Sequence, residues 1–209
     1  MKHLTQISCT AFAQALASKT STPGGGGAAA MAGALGVALC SMAGNFTAGK
    51  QKFAAVEEDV QRMLGECETI RNRLMELVDA DALAFEPLSR AYSIPRDDPN
   101  RTQVMEEAAL GACQAPREMV VCCARALLLL EEMLEKGSKL LISDVGCGAL
   151  LCKAAMECAA LSVFVNTRLL KDRETAAKLE REVDETLQTY LPLADRIAAS
   201  VTGYIRKEG

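Results

Sequence analysis

The carboxylate of Asp81 is the side chain in this sequence whose type and position best suit acid/base chemistry. Apolar residues recur at steps of three and four between residues 56 and 88, and Asp81 occupies one of these steps, four residues after Leu77 and three before Ala84. A carboxylate on a buried helix face must be paired, hydrogen-bonded or protonated, and desolvation raises its pKa. Asp81 is therefore a candidate catalytic acid/base, with a structural aspartate bonded to a neighbouring helix end as the alternative. Asp79 falls off the stripe, and we expect it to be solvated.

Asp144 is the second candidate catalytic carboxylate. It follows Ser143 at the start of a predicted helix, so the alternative is a helix N-cap. The only histidine is His3, near the start of the sequence, which excludes the usual Ser-His and Cys-His nucleophile pairs. Acid/base chemistry must therefore come from carboxylates, lysines or tyrosines.

Four glycines follow Pro23 and precede an alanine-rich helix. Free N–H groups at a helix N-terminus bind anions, and glycine lets a ligand reach the backbone, so Gly24, Gly25 and Gly26 are candidate substrate contacts. The run is not a nucleotide phosphate loop, because no Lys-Ser/Thr follows it and no strand precedes it. A flexible turn that permits close packing is the alternative interpretation.

Two asparagines and two lysines complete the candidate substrate contacts. Asn45 and Asn166 stand at or near the ends of small-residue helices, where they either face a cavity or satisfy free backbone groups. Lys50 and Lys52 follow the alanine-rich helix and could bind an anionic substrate, or could belong to a solvated face.

The nine cysteines are odd in number, irregularly spaced and without a C-x-x-C pair. This usage predicts free thiols in a reducing compartment, and it argues against a zinc site. The start of the sequence, Met-Lys-His followed by polar residues, is a poor secretory signal. We therefore expect a cytoplasmic protein without a bound metal.

Composition excludes several classes of protein. The chain has 209 residues, of which 50% are hydrophobic and 24% charged, as expected of one globular domain over residues 1–209. A net charge of −4 and the absence of Trp argue against nucleic acid as a partner. Residues 20–49 carry no charge, but Ala and Gly dominate them, so we predict a tightly packed helix rather than a membrane span.

Helical periodicity runs through most of the chain, and no segment alternates with the period of a strand. The pattern predicts a turn over 20–27 and then an all-α, single-domain bundle of long helices. The predicted helices cover about 4–15, 28–45, 56–88 with a kink or an end at Pro87, 101–114, 116–135, 143–170 and 179–204. The small-residue helices at 28–43 and 146–162 offer more close-packing faces than a monomer of this size needs, which predicts a homodimer.

Six segments in order carry a resemblance to a known family. They are Pro-Gly-Gly-Gly at 23–26, Asn-Phe-Thr-Ala-Gly-Lys at 45–50, Asp-Ala-Asp-Ala-Leu-Ala-Phe at 79–85, Ile-Pro-Arg at 94–96, Ser-Asp-Val at 143–145 and Val-Phe-Val-Asn at 163–166. Together they resemble the formiminotetrahydrofolate cyclodeaminase / methenyltetrahydrofolate cyclohydrolase family. The chain departs from the family pattern at Gly27, where a serine is common, and at Ser162, where an asparagine is common.

The resemblance implies an all-helical dimer with its folate site near the subunit contact, a tetrahydrofolate derivative as substrate and no cofactor. It also implies that Asp81 is catalytic. Because no formiminotransferase domain accompanies this chain, we expect a methenyltetrahydrofolate cyclohydrolase. The alternatives are a formiminotetrahydrofolate cyclodeaminase and a helical scaffold without activity.

Overall fold

The computed structural model describes residues 3–207, and among these residues it contains no β-strand. Seven α-helices account for most of the chain: α1 (Cys9–Leu16), α2 (Gly25–Asn45), α3 (Glu57–Ala91), α4 (Arg101–Ala112), α5 (Gln114–Lys136), α6 (Ile142–Thr167) and α7 (Arg173–Arg206). Short 3₁₀ turns at Leu4–Gln6, Gln51–Val56 and Lys139–Leu141 connect some of them. The predicted all-α bundle of long helices is confirmed.

The long helices form two layers around one core. Helices α2 and α6 pack side by side in one layer, and α3, α5 and α7 lie behind them in the other. Leu74, Leu77, Leu127, Leu130 and Met156 are among the largest side chains buried between the layers. A single cluster of buried apolar residues links α2 through α7, so each long helix contributes one face to the same interior.

Helices α2 and α6 run antiparallel and touch at glycines. A Cβ atom on Gly36 would lie 2.9 Å from the carbonyl oxygen of Gly148, and a Cβ on Gly148 would lie equally close to the carbonyl oxygen of Gly36. Only glycine at both positions lets the two backbones approach this closely. The N-terminal end of α2 consequently lies beside the C-terminal end of α6, near Val165.

Both helices of this layer, α2 and the segment 139–167, are long and apolar enough to span a membrane by length and composition alone. Core helices of soluble proteins pass the same test, and a large part of each helix is buried inside this chain.

Helix α3 follows the predicted apolar stripe. Val60, Met63, Cys67, Ile70, Leu74 and Leu77 are all at most 1% exposed. The helix continues through Pro87 and ends at Ala91, so the proline does not terminate it.

Three local predictions were wrong. Helix α2 begins at Gly25 rather than at about residue 28, because the burial of Gly26 and Gly27 against Asp81 and Val78 of α3 offsets the low helix propensity of glycine. Asp144 is not the N-cap of α6; Leu141 holds that position, and Asp144 lies in the first turn. Asp79 is not solvated, because it accepts a 2.7 Å hydrogen bond from the backbone N–H of Leu4 and lies 3.0 Å from His3 Nδ1.

Candidate active site

A cavity of about 160 Å³ lies where the N-terminus of α2 meets α3 and the C-terminal part of α6. The chain enters α2 through the segment 21–24, in which the peptide bond between Thr22 and Pro23 is cis. Gly24, Gly25, Gly26, Asp81 and Asn166 all line the cavity. Five of the nine residues that we predicted from the sequence are therefore together in one place.

The carboxylate of Asp81 lies directly against the backbone of α2. A Cβ atom built on Gly26 would overlap both carboxylate oxygens of Asp81, so no other residue fits at Gly26 without displacing them. The backbone N–H of Gly27 donates a hydrogen bond to the same carboxylate. The glycine run thus positions the candidate acid/base, in addition to any role in binding a ligand.

Burial raises the pKa of the Asp81 carboxyl, and the hydrogen bond from Gly27 lowers it by a smaller amount. Desolvation is the larger effect. None of the described residues that line the cavity carries a positive charge, so the charged form has little to replace its hydration. A carboxyl with a raised pKa holds its proton more readily near neutral pH. That property suits a group that both accepts and returns a proton.

We predict that Asp81→Asn stabilises the folded protein at neutral pH. Between the ordinary pKa of an aspartate and the raised pKa of Asp81, the folded state binds more protons than the unfolded state, so the free energy of unfolding falls as the pH rises. Asparagine carries no charge at any pH, so the variant does not lose this part of the free energy of unfolding as the pH rises. Thermal unfolding of both proteins should give a higher Tm for the variant at pH 7 and a smaller difference below pH 4. A variant that is less stable at pH 7 would contradict the desolvation argument.

Asn166 is one of the residues that line the cavity. Its side chain is 8% exposed, and its Nδ2 donates a 3.0 Å hydrogen bond to the carbonyl oxygen of Ala112 at the end of α4. This bond fixes the orientation of the amide, and within residues 3–207 no protein donor binds the Oδ1 atom. The oxygen is available to accept a hydrogen bond from an N–H group of a ligand.

The other four predicted residues lie at the opposite end of α2 and α6. Asn45 is the last residue of α2, Lys50 and Lys52 are exposed just beyond it, and Asp144 is in the first turn of α6. Because α2 has 21 residues, they lie about 30 Å from Asp81 in the same chain. A single chain therefore does not bring all nine residues to one site.

At this end of the layer, where α2 ends and α6 begins, the predicted residues contact only residues close to them in the sequence. The Nδ2 of Asn45 donates to the carbonyl oxygen of Ser41, one turn earlier, at 2.9 Å. The ammonium group of Lys50 lies 5.7 Å from the centre of the Phe46 ring. Asp144 has one hydrogen bond, at 3.5 Å from the Ser143 hydroxyl.

Five cavity residues were not among the predicted contacts: Ser21, Thr22, Phe85, Ser162 and Val165. Phe85 stands four residues after Asp81, so helical spacing alone placed both on one face. No sequence signal marks Thr22 as a neighbour of α6. An apolar groove of about 540 Å³ opens beside the cavity and shares Gly25, Ser162 and Val165 with it.

The described residues, 3–207, contain no group of three or more His, Cys, Asp or Glu side chains arranged to hold a metal ion. All nine cysteines are unpaired.

Comparison with known proteins gives consistent matches over most of the chain. The profile of the formiminotransferase-cyclodeaminase family matches residues 8–185. A methenyltetrahydrofolate cyclohydrolase from Methylorubrum extorquens is 37% identical over 194 residues, which cover 91% of this chain and 93% of the relative. A formimidoyltransferase-cyclodeaminase from Rattus norvegicus is 28% identical over 88% of this chain but only 35% of its own length.

The crystal structure of formiminotetrahydrofolate cyclodeaminase from Thermotoga maritima has the same fold. It superposes with a TM-score of 0.83 at 25% sequence identity, covering 94% of this chain and 98% of that one.

Proposed function

This chain belongs to the formiminotransferase-cyclodeaminase family, and we propose that it is a methenyltetrahydrofolate cyclohydrolase. One observation carries the proposal: the 37% identity to a methenyltetrahydrofolate cyclohydrolase extends over nearly the whole of both chains. The substrate is a tetrahydrofolate derivative whose 5,10-methenyl bridge is opened by water to give formyltetrahydrofolate.

The reaction requires proton transfers that a carboxyl group can perform. Water adds to the carbon of the methenyl bridge, which becomes tetrahedral, and the added water loses a proton to the carboxylate of Asp81. One C–N bond then breaks as the carboxyl returns its proton to the departing nitrogen, while the remaining hydroxyl proton leaves to solvent and the formyl group forms. General acid/base catalysis of this kind contributes about 10²–10⁴-fold to the rate.

The other cavity groups bind and orient the substrate. The free oxygen of Asn166 accepts a hydrogen bond from an N–H of the folate ring system, and Phe85 offers an apolar surface to a flat ring. Gly24 and Gly25 leave room for the ring to approach the α2 backbone, since they have no side chains to hold it away.

The cyclodeaminase reaction is the second candidate, favoured by the close structural match to the Thermotoga maritima cyclodeaminase. In that reaction, one nitrogen of formiminotetrahydrofolate attacks the formimino carbon and ammonia leaves. The carbon again becomes tetrahedral and protons again move between nitrogen and a nearby base, so the same Asp81 cavity serves either chemistry.

The deciding experiment offers the purified protein both folates and follows the near-UV absorbance band of the methenyl group. Loss of the band from methenyltetrahydrofolate identifies the cyclohydrolase, and appearance of the band from formiminotetrahydrofolate identifies the cyclodeaminase. A protein that does neither would support the inactive scaffold.

We further propose that the protein acts in the cytoplasm as a homodimer without metal or cofactor, and binds neither nucleic acid nor membrane. The net charge of −4 supports the exclusion of nucleic acid. We expect activity to be unchanged after dialysis against a strong chelator, because the proposed mechanism needs only a carboxyl group. Activity that is lost on chelation and restored by a divalent cation would contradict this.

A further inference from the structure

Four buried cysteines lie together in the core, one on each of the helices α2, α3, α5 and α6: Cys40, Cys67, Cys123 and Cys152. Each is at most 1% exposed. Their thiols form two hydrogen-bonded pairs, Cys40 with Cys67 and Cys123 with Cys152. The pKa of the Cys152 thiol is raised by the bond to Cys123, by burial and by the nearby Cys40 and Cys67, so the two pairs form one cluster. The proposed reaction uses none of these thiols.

The packing of α2 on α3 places Cys40 directly opposite Cys67. The two helices run antiparallel, because the start of α2 contacts Asp81 near the end of α3. A Cβ atom on Gly33 would lie 3.3 Å from Cδ1 of Leu74. Cys40 is seven residues, or about two turns, after Gly33, and Cys67 is seven residues before Leu74. The contact between the two thiols therefore follows from the register of the helices, and a disulfide needs such a facing pair.

Cys67 is the more reactive thiol of this pair. Its sulfur accepts hydrogen bonds from the Cys40 thiol and from the Ser41 hydroxyl, and these bonds lower the pKa of Cys67 despite its burial. The Cys40 thiol donates, and its pKa is raised by the contact with Cys67 and by burial. Because the thiolate is the nucleophile, Cys67 reacts first with an electrophile, while Cys40 remains beside it as a protonated thiol.

The Cys123–Cys152 pair is less suited to this chemistry. A Cβ atom on Gly33 would lie 2.9 Å from the Cys123 sulfur, and one on Gly36 would lie 2.7 Å from the Cys152 sulfur. These two sulfurs therefore fill the space that the glycines of α2 leave, and drawing them together would open a void there. Every group that acts on the Cys152 thiol raises its pKa, so it has no hydroxyl donor comparable to Ser41.

We propose that Cys40 and Cys67 are a peroxide-sensitive dithiol that forms a reversible disulfide between α2 and α3. The thiolate of Cys67 attacks one oxygen of hydrogen peroxide, the O–O bond breaks, and Cys67 becomes a sulfenic acid. The hydroxide that leaves takes up the proton that Cys67 has lost. The sulfur of Cys40 then attacks the sulfenic sulfur, the S–S bond forms, and the sulfenic oxygen leaves as water with the proton of Cys40. The two sulfurs lose two electrons in total, and the peroxide is reduced to two molecules of water.

The disulfide would brace the two helices that carry the candidate site. Hydrogen peroxide is little larger than water, and it reaches buried thiols when helices open locally. Cys40 and Cys67 are 27 residues apart in the chain, and the helices they join hold Gly26 against Asp81. A cross-link over such a loop stabilises the folded state mainly by restricting the unfolded chain, so oxidation should raise the Tm by about 5–10 °C.

Peroxide treatment followed by peptide mapping tests the pair. The exposed cysteines, Cys9, Cys147 and Cys158, are first replaced by serine so that they do not react in its place. The folded protein is treated with hydrogen peroxide and denatured, and its free thiols are blocked with N-ethylmaleimide before digestion. We expect mass spectrometry to find Cys40 and Cys67 in one pair of linked peptides, together lighter by two hydrogen atoms. Dithiothreitol should break the link and restore the original Tm.

Three single variants in this background separate the roles of the thiols. In Cys40→Ala the sulfenic acid of Cys67 has no thiol to condense with, so dimedone present during denaturation should label Cys67. In Cys67→Ala we expect Cys40 to stay unlabelled. The matched control is Cys123→Ala, which removes an equally buried thiol from the other pair and should still form the disulfide between Cys40 and Cys67.

The wild type, whose exposed thiols react in the same treatment, shows that the peroxide dose is sufficient. At that dose, a protein in which Cys40 and Cys67 are both recovered with N-ethylmaleimide would overturn the proposal. A link between Cys123 and Cys152 in place of the predicted one would also overturn it. None of these measurements uses a folate, so a protein that forms the disulfide but converts neither folate contradicts only the proposed function.

Discussion

Replacing Asp81 with Asn is expected to lower turnover of methenyltetrahydrofolate by about 10²–10⁴-fold, with a much smaller change in substrate binding. Asparagine has nearly the same shape and keeps a hydrogen-bonding amide, but it cannot exchange a proton. The single histidine of the chain, His3, is bonded to Asp79 rather than placed in the cavity, so it does not substitute for the lost carboxyl. Stopped-flow absorbance of the methenyl band, with a separate binding titration, measures both quantities.

Two carboxylates provide controls for this variant. Asp79→Asn, two residues earlier on α3, keeps an oxygen that can accept the Leu4 N–H and should retain turnover. We expect at most a small change in Tm, because the contact of Asp79 with His3 lies at the surface. Asp144→Asn tests the second candidate. If Asp81→Asn turns over near the wild-type rate while Asp144→Asn is folded and inactive, Asp81 is structural and Asp144 is the acid/base.

Gly26→Ala is expected to have the second largest effect. The new methyl group would occupy the position of the Asp81 carboxylate, so either the carboxylate rotates away or α2 shifts from α3. Overpacking of this kind costs about 1–3 kcal/mol of folding free energy, and a displacement of about 1 Å of a reacting group costs about 10²-fold in rate. Denaturant unfolding and kcat measurements on the variant should show both losses.

Two further variants test whether Gly26→Ala acts through its overlap with the Asp81 carboxylate. Gly65→Ala on α3 adds a methyl group with nothing within 4 Å, so it should be neutral or stabilising by about 0.4–1 kcal/mol. Gly26→Ala made in an Asp81→Ala background should cost much less stability than in the wild type, because the overlapping carboxylate is gone. Equal costs in the two backgrounds would mean that the alanine acts through another contact.

Several features of this protein follow from local sequence pattern. The three-and-four spacing of apolar residues determines which face of α3 is buried, and it placed Asp81 on that face before any fold was known. Phe85, one turn further, follows by the same spacing. The absence of strand-like alternation predicted the all-α class, and the ordered segments from residue 23 to residue 166 predicted the family that the comparisons show.

Only the tertiary structure shows which residues each buried helix face contacts. Asp79 lies off the stripe, yet a segment 75 residues away folds back to bond it. Gly26 faces the Asp81 carboxylate because α2 packs on α3. Asn166 faces the same cavity because α2 and α6 pack antiparallel at Gly36 and Gly148.

The same packing separates the predicted residues into two groups. Asn45, Lys50, Lys52 and Asp144 lie at the other end of the layer, since a helix of 21 residues holds its two ends about 30 Å apart. Periodicity reports which side of a helix is apolar within a few turns. It carries no information on which helix covers that side or in which direction, because those depend on the summed packing of residues far apart in the chain.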